Sequence, residues 1–509
     1  MAADLTPKFD DPSLLHHKGY IDGEWTTGNS KATFNVQDPA TGWTIGSCPE
    51  MTCSDVEKAI YAASTAQATF RHVPAKDRAA ILTEWAHLMR RSQEDLAKLV
   101  TWENGKPLAE ARGEVLYAAA FLDWFAGEAI RVTGDFIQPG NMSNRAVVKR
   151  DPIGVCGFIT PWNFPLAMVT RKTGPALAAG CTVVLKAPGE TPLTALALAH
   201  LGAKAGIPKG VFNVITALEN TVEVGTAITE SSIIRKISFT GSTPVGKLLM
   251  RQSSATLKRL SMELGGLAPF IVFDDADIDD AVEGAITCKF RGSGQTCVCA
   301  NTFFIHENVY QQFSERFIGK VRKFCMGHGF KDGVTHGPLI HERAVHKVVG
   351  HVQDAKAKGG HIAIGGQKMP HLGPAFFEPT VVLNATPEML FTKDETFGPL
   401  AGFVKFSSED EVVDLANRAE VGLAAYFYSN DVKRCWRVAE KLEAGMVGIN
   451  TGIISDVATP FGGIKHSGFG REGSKYGIED FLTLKTITFG GIVMRPGLDG
   501  RNKSHSFIQ

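Results

Sequence analysis

The sequence has no excess of charge of either sign and no apolar run suited to a membrane. Its 53 Lys and Arg residues balance its 53 Asp and Glu residues, and like charges form no block. Because a polyanionic partner needs a basic surface, this balance argues against nucleic acid as a ligand. The longest uncharged stretch, residues 152–170, contains three prolines, which a lipid-exposed helix does not accommodate. The composition therefore predicts no membrane span.

Cysteine is scarce, and the amino-terminal region has no targeting pattern. Nine cysteines, an odd number, are spread thinly over 509 residues, which is typical of reduced thiols rather than of a disulfide scaffold. The first twenty residues contain three Asp, no Arg and no apolar core, whereas a secretory signal needs an apolar core and a transit peptide needs Arg. We therefore expect a cytoplasmic protein.

Two kinds of periodicity indicate an α/β protein. Residues 53–130 repeat apolar positions at helical spacing, as at Ile81 and Trp85. From residue 145 onward, short β-branched runs alternate with helical stretches, which is typical of βαβ units and a parallel sheet. A second such series follows Asp274. At about 150 residues per domain, the length predicts roughly three structural units.

One predicted strand, turn and helix start can bind a phosphate. The β-prone run 235–239 leads into Gly241, after which Ser242 can cap a helix and Pro244 can open it. Free amides and the helix dipole at such a turn favour an anion. The spacing from Gly241 to Gly246 is not the dinucleotide pattern G-x-G-x-x-G, so an ordinary tight turn is the alternative.

A lysine follows an earlier predicted strand. The run 182–186 ends in Lys186, and parallel sheets bind ligands at the carboxyl ends of their strands. Lys186 is therefore a candidate ligand contact, and a solvated loop lysine is the alternative.

The glycine-rich run 290–301, FRGSGQTCVCAN, delivers Cys297 in an irregular loop. Glycines let the backbone approach a ligand, and free amides beside a thiol lower its pKa and can bind an oxyanion. Cys297 is therefore a candidate nucleophile, although most cysteines are small buried hydrophobic residues. We expect no metal, because the C-x-C spacing with only His306 nearby lacks a second ligand pair. A serine nucleophile has no G-x-S-x-G turn to hold it.

Six short segments together resemble the aldehyde dehydrogenase superfamily. They are PWNFP at 161–165, FTGS at 239–242, MELGG at 262–266, GQTC at 294–297, ETFGP at 395–399 and PFGGIKHSGFGRE at 460–472. Four further segments resemble the succinate-semialdehyde dehydrogenases of that superfamily. They are TRK at 170–172, SMELGGLAPFIVFD at 261–274, KFRGSGQTCVCAN at 289–301 and GREGSKYGIEDF at 470–481.

The resemblance implies an α/β fold in three parts. A Rossmann-type NAD(P)-binding domain takes residues 1–133 and 151–265, and an α/β catalytic domain takes residues 266–481. A small β-rich oligomerisation element takes residues 134–150 and 482–509, where strand edges pair between subunits. The resemblance also implies a homotetramer.

Three residues match the catalytic groups of the family. Cys297 matches the nucleophile, and Asn163 matches the side-chain amide that holds the oxyanion together with the Cys297 N–H. Glu263 matches the general base that activates water against the acyl-enzyme, so its pKa should be raised. Without the resemblance, Asn163 is interpreted as a turn residue and Glu263 as a surface charge.

The implied cofactor is NAD or NADP. The residues matching the adenosine and pyrophosphate contacts are Trp162, Lys186, Gly225, Gly241 and Ser242, and those on the nicotinamide side are Glu395 and Phe397. Relatives strict for NAD commonly carry Glu where this chain has Gly189. A carboxylate there would repel a 2′-phosphate, so its absence leaves NADP open.

The resemblance implies an aldehyde substrate with a carboxylate. Arg171 and Arg291 match two arginines that hold this carboxylate, and Ser455 matches a hydroxyl that joins them. Phe164 and Phe461 should form an apolar wall. The implied reaction oxidises succinate semialdehyde to succinate through a cysteine thiohemiacetal and thioester, in 4-aminobutyrate catabolism. Glutarate semialdehyde or a broader range of aliphatic aldehydes is the alternative.

Cys299, two residues after Cys297, is a redox candidate. Oxidation could join the two thiols and block catalysis until a reductant returns, and an inert packing thiol is the alternative. A scaffold without turnover is disfavoured because Cys297, Asn163 and Glu263 are all present. Acyl transfer to coenzyme A is disfavoured because Glu263 supplies a base for water.

Overall fold

The computed structural model describes residues 5–492. Within that range the helices are α1 (Cys53–Phe70), α2 (Ala75–Arg91), α3 (Gln93–Asn104), α4 (Leu108–Ala129), α5 (Ala167–Ala179), α6 (Pro192–Lys204), α7 (Thr221–Glu230), α8 (Thr243–Ser253), α9 (Ile278–Phe290), α10 (Tyr310–Val321), α11 (Glu342–Ala357), α12 (Glu409–Asn417) and α13 (Val432–Lys441). The first eleven strands are β1 (Gly19–Ile21), β2 (Glu24–Thr26), β3 (Thr33–Gln37), β4 (Thr44–Pro49), β5 (Asp135–Ile137), β6 (Arg145–Pro152), β7 (Val155–Ile159), β8 (Thr182–Lys186), β9 (Phe212–Ile215), β10 (Lys236–Thr240) and β11 (Arg259–Glu263). The others are β12 (Pro269–Val272), β13 (Thr302–His306), β14 (His361–Ile364), β15 (Thr380–Ala385), β16 (Leu400–Phe406), β17 (Val421–Gly422), β18 (Ala424–Tyr428), β19 (Met446–Ile449), β20 (Ile464–Lys465), β21 (Gly468–Phe469) and β22 (Leu482–Phe489).

The first sheet has the strand order β2-β1-β9-β8-β7-β10-β11-β21. Strands β9, β8, β7, β10 and β11 run parallel, so their carboxyl ends share one edge. Helices cover both faces: Val183 of β8 packs into a core with α2 to α6, and Val184 packs on α1 and α7. The strand order reverses between β7 and β10, and open α/β sheets bind ligands at such a point.

The second sheet has the order β14-β15-β16-β13-β12-β18-β19. Its central strands are also parallel. Consecutive residues of β13 pack into hydrophobic cores on opposite faces of the sheet. Phe303 packs with α9 and α10, whereas Phe304 packs with α11 on the other face. This burial on both faces explains why the middle of β13, residues 303–305, is continuously apolar.

The third sheet pairs β22 with β6 over eight residues and β6 with β5. It carries large exposed apolar side chains on both faces, with Leu484 71% exposed and Phe136 68% exposed. Apolar surface of this kind on a small sheet is typical of an interface between protein chains. The predicted oligomerisation element continues into residues 493–509, which lie outside the described residues.

Both predicted series of parallel strands are present, and the predicted helical region holds α1 to α4. The short strand β21 lies inside the range predicted for the catalytic domain, but it pairs antiparallel with β11 of the first sheet. Two residues are too few to give a strand pattern in the sequence. The domain limits remain a prediction. Between residues 5 and 492, no helix is long and apolar enough to cross a membrane.

Candidate active site

The carboxyl edge of the first sheet opens into a cavity of about 270 Å³. The segments before β13 and β16, together with α11, close its other side. The cavity brings together eight residues predicted from the sequence: Trp162, Asn163, Gly241, Ser242, Glu263, Cys297, Glu395 and Phe397. The predicted residues Lys186, Gly225, Phe164, Arg171, Arg291, Ser455 and Phe461 lie outside its lining.

The loop that leads to Cys297 has an unusual backbone. Gly292 and Ser293 have φ angles of 58° and 57°, in the left-handed region. This conformation is unfavourable for a residue with a Cβ atom, so the surroundings must hold Ser293 in place. The Ser293 hydroxyl donates to the Gly337 carbonyl at 2.8 Å, and the Gly292 N–H donates to the Glu110 carboxylate at 3.1 Å. These bonds present Cys297 at the cavity wall.

Glu263, the last residue of β11, is 2% exposed. Neither of its carboxylate oxygens has a hydrogen-bond partner among the described residues. Burial and the negative charge of Glu472 raise the pKa of Glu263 well above its usual range, against the opposing effect of Arg171 and Lys172. Burial also raises the pKa of the Cys297 thiol to about 12. A carboxyl group with a raised pKa in the same cavity as a protonated thiol suits a general base.

Asn163 lies in the turn between β7 and α5 and is 5% exposed. Its Nδ2 donates to the Gln295 carbonyl at 3.1 Å, and its Oδ1 has no hydrogen-bond partner among the described residues. An amide nitrogen carries two N–H groups, so one is left for a further acceptor. Because Asn163 and Cys297 line the same cavity, this donor can serve an oxyanion formed at the sulfur.

Arg171 is buried and ion-paired with Glu472, which also pairs with Lys172. Although burial favours the neutral acid, these two cations lower the pKa of Glu472 to about 2. The Arg171 guanidinium carbon lies 4.3 Å from the Phe461 ring centroid. Part of its hydrogen-bonding capacity is therefore already used, and its role as a substrate ligand stays a prediction.

Arg291 follows α9, is half-buried and forms no ion pair with any residue in the range 5–492. Its guanidinium carbon lies 5.4 Å from the Phe164 ring centroid. Glu110 and Tyr117 lie near enough for the Arg291 charge to lower their pKa values against the effect of burial. An arginine packed on an aromatic face without a carboxylate partner can receive one from a ligand. Ser455 is half-buried and its predicted link to the arginines remains untested.

The turn after β10 and the end of β8 lie at the carboxyl edge of the first sheet, where an anion site is predicted. Ser242 is the N-cap of α8, with a proline in the first turn, as predicted. A Cβ atom on Gly241 would lie 2.4 Å from the Phe239 ring, so this turn needs glycine. Burial lowers the pKa of Lys186 to about 8, against the opposing effect of Glu190. A helix N-terminus and a buried lysine at the switch point fit the phosphates of NAD or NADP.

Two glycines lie on the side predicted to bind the adenosine, and their surroundings differ in space. A Cβ atom on Gly225 would meet only Leu249, at 3.9 Å. A Cβ atom on Gly189 would lie 2.6 Å from Leu218 and 3.2 Å from the Ala217 carbonyl, so a side chain there would require Leu218 to move. No carboxylate stands at position 189 to oppose a 2′-phosphate.

The side of the cavity predicted to bind the nicotinamide contains a buried carboxyl group and an aromatic pair. Glu395 accepts a long hydrogen bond from Gly266 N at 3.5 Å, and burial raises its pKa to about 7. The rings of Trp162 and Phe397 meet edge-on with centroids 5.6 Å apart. A carboxylate and an aromatic wall can hold the hydroxyls and the ring of a nucleoside.

Cys299 and Cys297 are both free thiols. Cys299 is 8% exposed, and burial raises its pKa. The proposed disulfide between them stays a prediction. Across residues 5–492, no group of three or more His, Cys, Asp or Glu side chains is placed to hold a metal ion.

Sequence reasoning gave no role to several charged residues around the site. Lys172 and Glu472 lie inside segments that resemble the family, but only the fold joins them beside Glu263. Lys106 and Glu114 look like ordinary charges of a helical region, yet both are buried next to the Asn163 turn. Their contact partners are distant in sequence, so no local pattern could identify them.

Comparison with known proteins agrees with this geometry. A model of the aldehyde dehydrogenase family matches residues 25–487. A Schizosaccharomyces pombe protein named succinate-semialdehyde dehydrogenase [NADP(+)] 1 is 53% identical over 471 residues, which cover 92% of this chain and 94% of that protein. The chain belongs to the aldehyde dehydrogenase family.

Other aldehyde dehydrogenases are similarly close. A glutarate-semialdehyde dehydrogenase of Pseudomonas aeruginosa is 52% identical over 483 residues, covering 95% of this chain and 99% of that protein. The crystal structure of succinate-semialdehyde dehydrogenase from Burkholderia pseudomallei matches with a TM-score of 0.94 and 54% identity, covering 95% of this chain and all of that chain. The predicted family and α/β fold are confirmed.

Proposed function

We propose that this aldehyde dehydrogenase oxidises succinate semialdehyde to succinate with NAD or NADP. The observation that carries the proposal is Arg291, a half-buried arginine without an ion pair among the described residues. It packs on Phe164, the neighbour of Asn163. A cation next to the oxyanion donor suits an aldehyde whose other end is a carboxylate. The names of the relatives support this choice.

The residues of the cavity support each step of the reaction. Glu263 accepts the proton of the Cys297 thiol and releases it to solvent, and the resulting thiolate attacks the aldehyde carbon. Asn163 Nδ2 with the Cys297 N–H holds the oxyanion of the thiohemiacetal. NAD or NADP would supply the hydride acceptor that converts this adduct into a thioester on Cys297. Glu263 then removes a proton from water, the hydroxide attacks the thioester, and succinate leaves with regeneration of the thiol.

The adenosine side favours NADP over NAD. Gly189 provides no carboxylate against a 2′-phosphate, and the buried Lys186 ends β8 just before it. The S. pombe relative carries NADP(+) in its name. Trp162, Gly225, Gly241 and Ser242 would line the rest of the dinucleotide, with Glu395 and Phe397 at its nicotinamide end.

Glutarate semialdehyde is the second candidate substrate. It carries the same two functional groups one methylene further apart, and a relative of equal similarity is named for it. A single methylene in an apolar pocket changes specificity by only about 10- to 200-fold. Arg171, Ser455 and Phe461 would contribute to this choice of chain length.

The assembly and the location belong to the same proposal. The exposed apolar side chains of the β22-β6-β5 sheet support pairing between subunits, and we infer a homotetramer. We also infer a cytoplasmic enzyme of 4-aminobutyrate catabolism.

Initial rates of cofactor reduction test the proposed substrate. Succinate semialdehyde, glutarate semialdehyde and butanal should each be measured with NAD and with NADP. The proposal predicts the highest kcat/KM with succinate semialdehyde and NADP. Equal or faster turnover of butanal would reject a carboxylate-specific site and leave a general aldehyde dehydrogenase.

A further inference from the structure

The turn that carries Asn163 is held from behind by a buried ion pair. Lys106 Nζ lies 2.5 Å from Glu114 Oε2, and the two side chains are 4% and 1% exposed. Lys106 follows α3, and Glu114 lies on α4. Neither residue lines the cavity.

The side-chain hydrogen bonds of Lys106 and Glu114 outside their ion pair go to this turn and to the start of α5. Lys106 Nζ donates to the Asn163 carbonyl at 2.8 Å and lies 4.1 Å from the Phe164 ring centroid. Glu114 Oε1 accepts from the Leu166 N–H at 2.9 Å. The ammonium group thus has Glu114, Asn163 O and the Phe164 face around its three N–H groups.

Glu114 also accepts hydrogen bonds from backbone N–H groups at the start of α5. That helix has no side-chain cap of its own and no acidic residue in its first turn. The Glu114 carboxylate accepts from Leu166 N and, at 3.5 Å, from Ala167 N, so it supplies the missing acceptor. Asn104, at the end of α3, adds a third bond by donating from Nδ2 to the Trp162 carbonyl at 3.0 Å.

We propose that Lys106 and Glu114 are positioning residues that hold the Asn163 turn so that its side-chain amide points at Cys297. The backbone of Asn163 is held on the side of α3 and α4, and its side chain extends to the opposite side, into the cavity. Buried ion pairs contribute little net stability compared with apolar residues of similar size. A displacement of about 1 Å in a catalytic group, however, can lower a rate about a hundredfold.

A double variant separates positioning from folding. Lys106→Met with Glu114→Gln removes both charges together, so neither is left buried and unpaired. The amide introduced at position 114 would keep an acceptor for Leu166 N, whereas the Asn163 carbonyl loses its donor. We expect kcat to fall about tenfold to a hundredfold, with the aldehyde KM and the melting temperature nearly unchanged.

A mutant cycle shows whether the fall in kcat caused by the double variant depends on the Asn163 side chain. In an Asn163→Ala background, the double variant should lower kcat no further, because the group that it positions is already gone. Alkylation of Cys297 by iodoacetamide, which needs no oxyanion donor, should keep its rate. Lys98→Met with Asp95→Asn is the matched control, since this pair lies on α3 but holds Asp10 and Asp11. It should leave kcat unchanged.

The inference would be overturned if the double variant lowered kcat as much in the Asn163→Ala background as in the unaltered enzyme. It would also be overturned if kcat fell only in proportion to the amount of folded protein lost. If the double variant does not fold, Asn104→Leu changes no charge and should give a smaller loss of kcat with the same non-additivity. The inference rests on the proposed function in one respect only: the enzyme must oxidise an aldehyde that is bound to Cys297. Failure to oxidise any aldehyde would reject the function itself, whereas turnover with an additive cycle would reject only the positioning role.

Discussion

Arg171 and Glu472 form a buried ion pair beside the Glu263 carboxyl group. Lys172 pairs with the same Glu472, and Arg471 adds a third positive charge, so three cations and one anion act on the Glu263 carboxyl group. The cations favour the ionised form of Glu263, and burial and Glu472 oppose it. The balance of these charges, rather than any direct hydrogen bond, determines when Glu263 can accept a proton.

The pH dependence of the reaction should therefore follow this cluster. Because its pKa is raised, Glu263 becomes a base only as pH rises, and kcat/KM should rise with it. Glu472→Gln removes a negative charge, lowers the pKa of Glu263 and should shift the rising limb to lower pH. Lys172→Met removes a positive charge and should shift it to higher pH. Shifts in the same direction for both variants would contradict this account.

Cofactor binding should depend on the ionisation of Glu395. Burial raises its pKa to about 7, so the carboxylate that can accept from ribose hydroxyls is lost below that pH. We expect the KM for NADP to rise as pH falls below about 7. In Glu395→Gln, this KM should be higher and nearly independent of pH. A steep pH dependence that survives in the variant would assign the effect to another group.

Position 189 should control the choice between NADP and NAD. Gly189→Glu introduces a carboxylate against the 2′-phosphate, and Leu218→Ala makes room for its Cβ atom. The double variant should raise the KM for NADP about tenfold or more, with a much smaller change for NAD. Leu218→Ala alone is the control. An equal loss for both cofactors would show a steric effect only.

Cys299 should determine whether inactivation by peroxide is reversible. A disulfide with Cys297 would block the nucleophile and protect it from further oxidation. The unaltered enzyme should recover activity in dithiothreitol, and Cys299→Ser should not. Identical recovery of the two proteins would show that Cys299 is only a packing residue.

The fold was largely predictable because its signals are local. Ser242 and Pro244 mark the start of α8 within a few residues, and Lys186 ends a strand whose pattern is continuously apolar. Of the predicted catalytic residues, Cys297 was indicated by its glycine-rich loop. Glu263 and Asn163 could be named only through the resemblance, because each alone has an ordinary structural interpretation.

The surroundings of the catalytic residues could not be predicted in the same way. Glu472 reaches Lys172 across 300 positions of sequence, and Lys106 reaches Asn163 across 57. Charge pairs of this kind depend on tertiary packing, so the periodicity of the sequence cannot predict them. Arg171 likewise looked like a free substrate ligand until the fold placed Glu472 against it.

The most direct test of the proposed substrate site is the ratio of kcat/KM for succinate semialdehyde to kcat/KM for butanal, before and after Arg291→Ala. Arg291 is the better choice for this test, because Arg171→Ala would leave Glu472 without one of its cations. We expect the variant to lose about 10- to 100-fold with succinate semialdehyde and little with butanal, since only the former has a carboxylate. An equal loss with both aldehydes would contradict the carboxylate site.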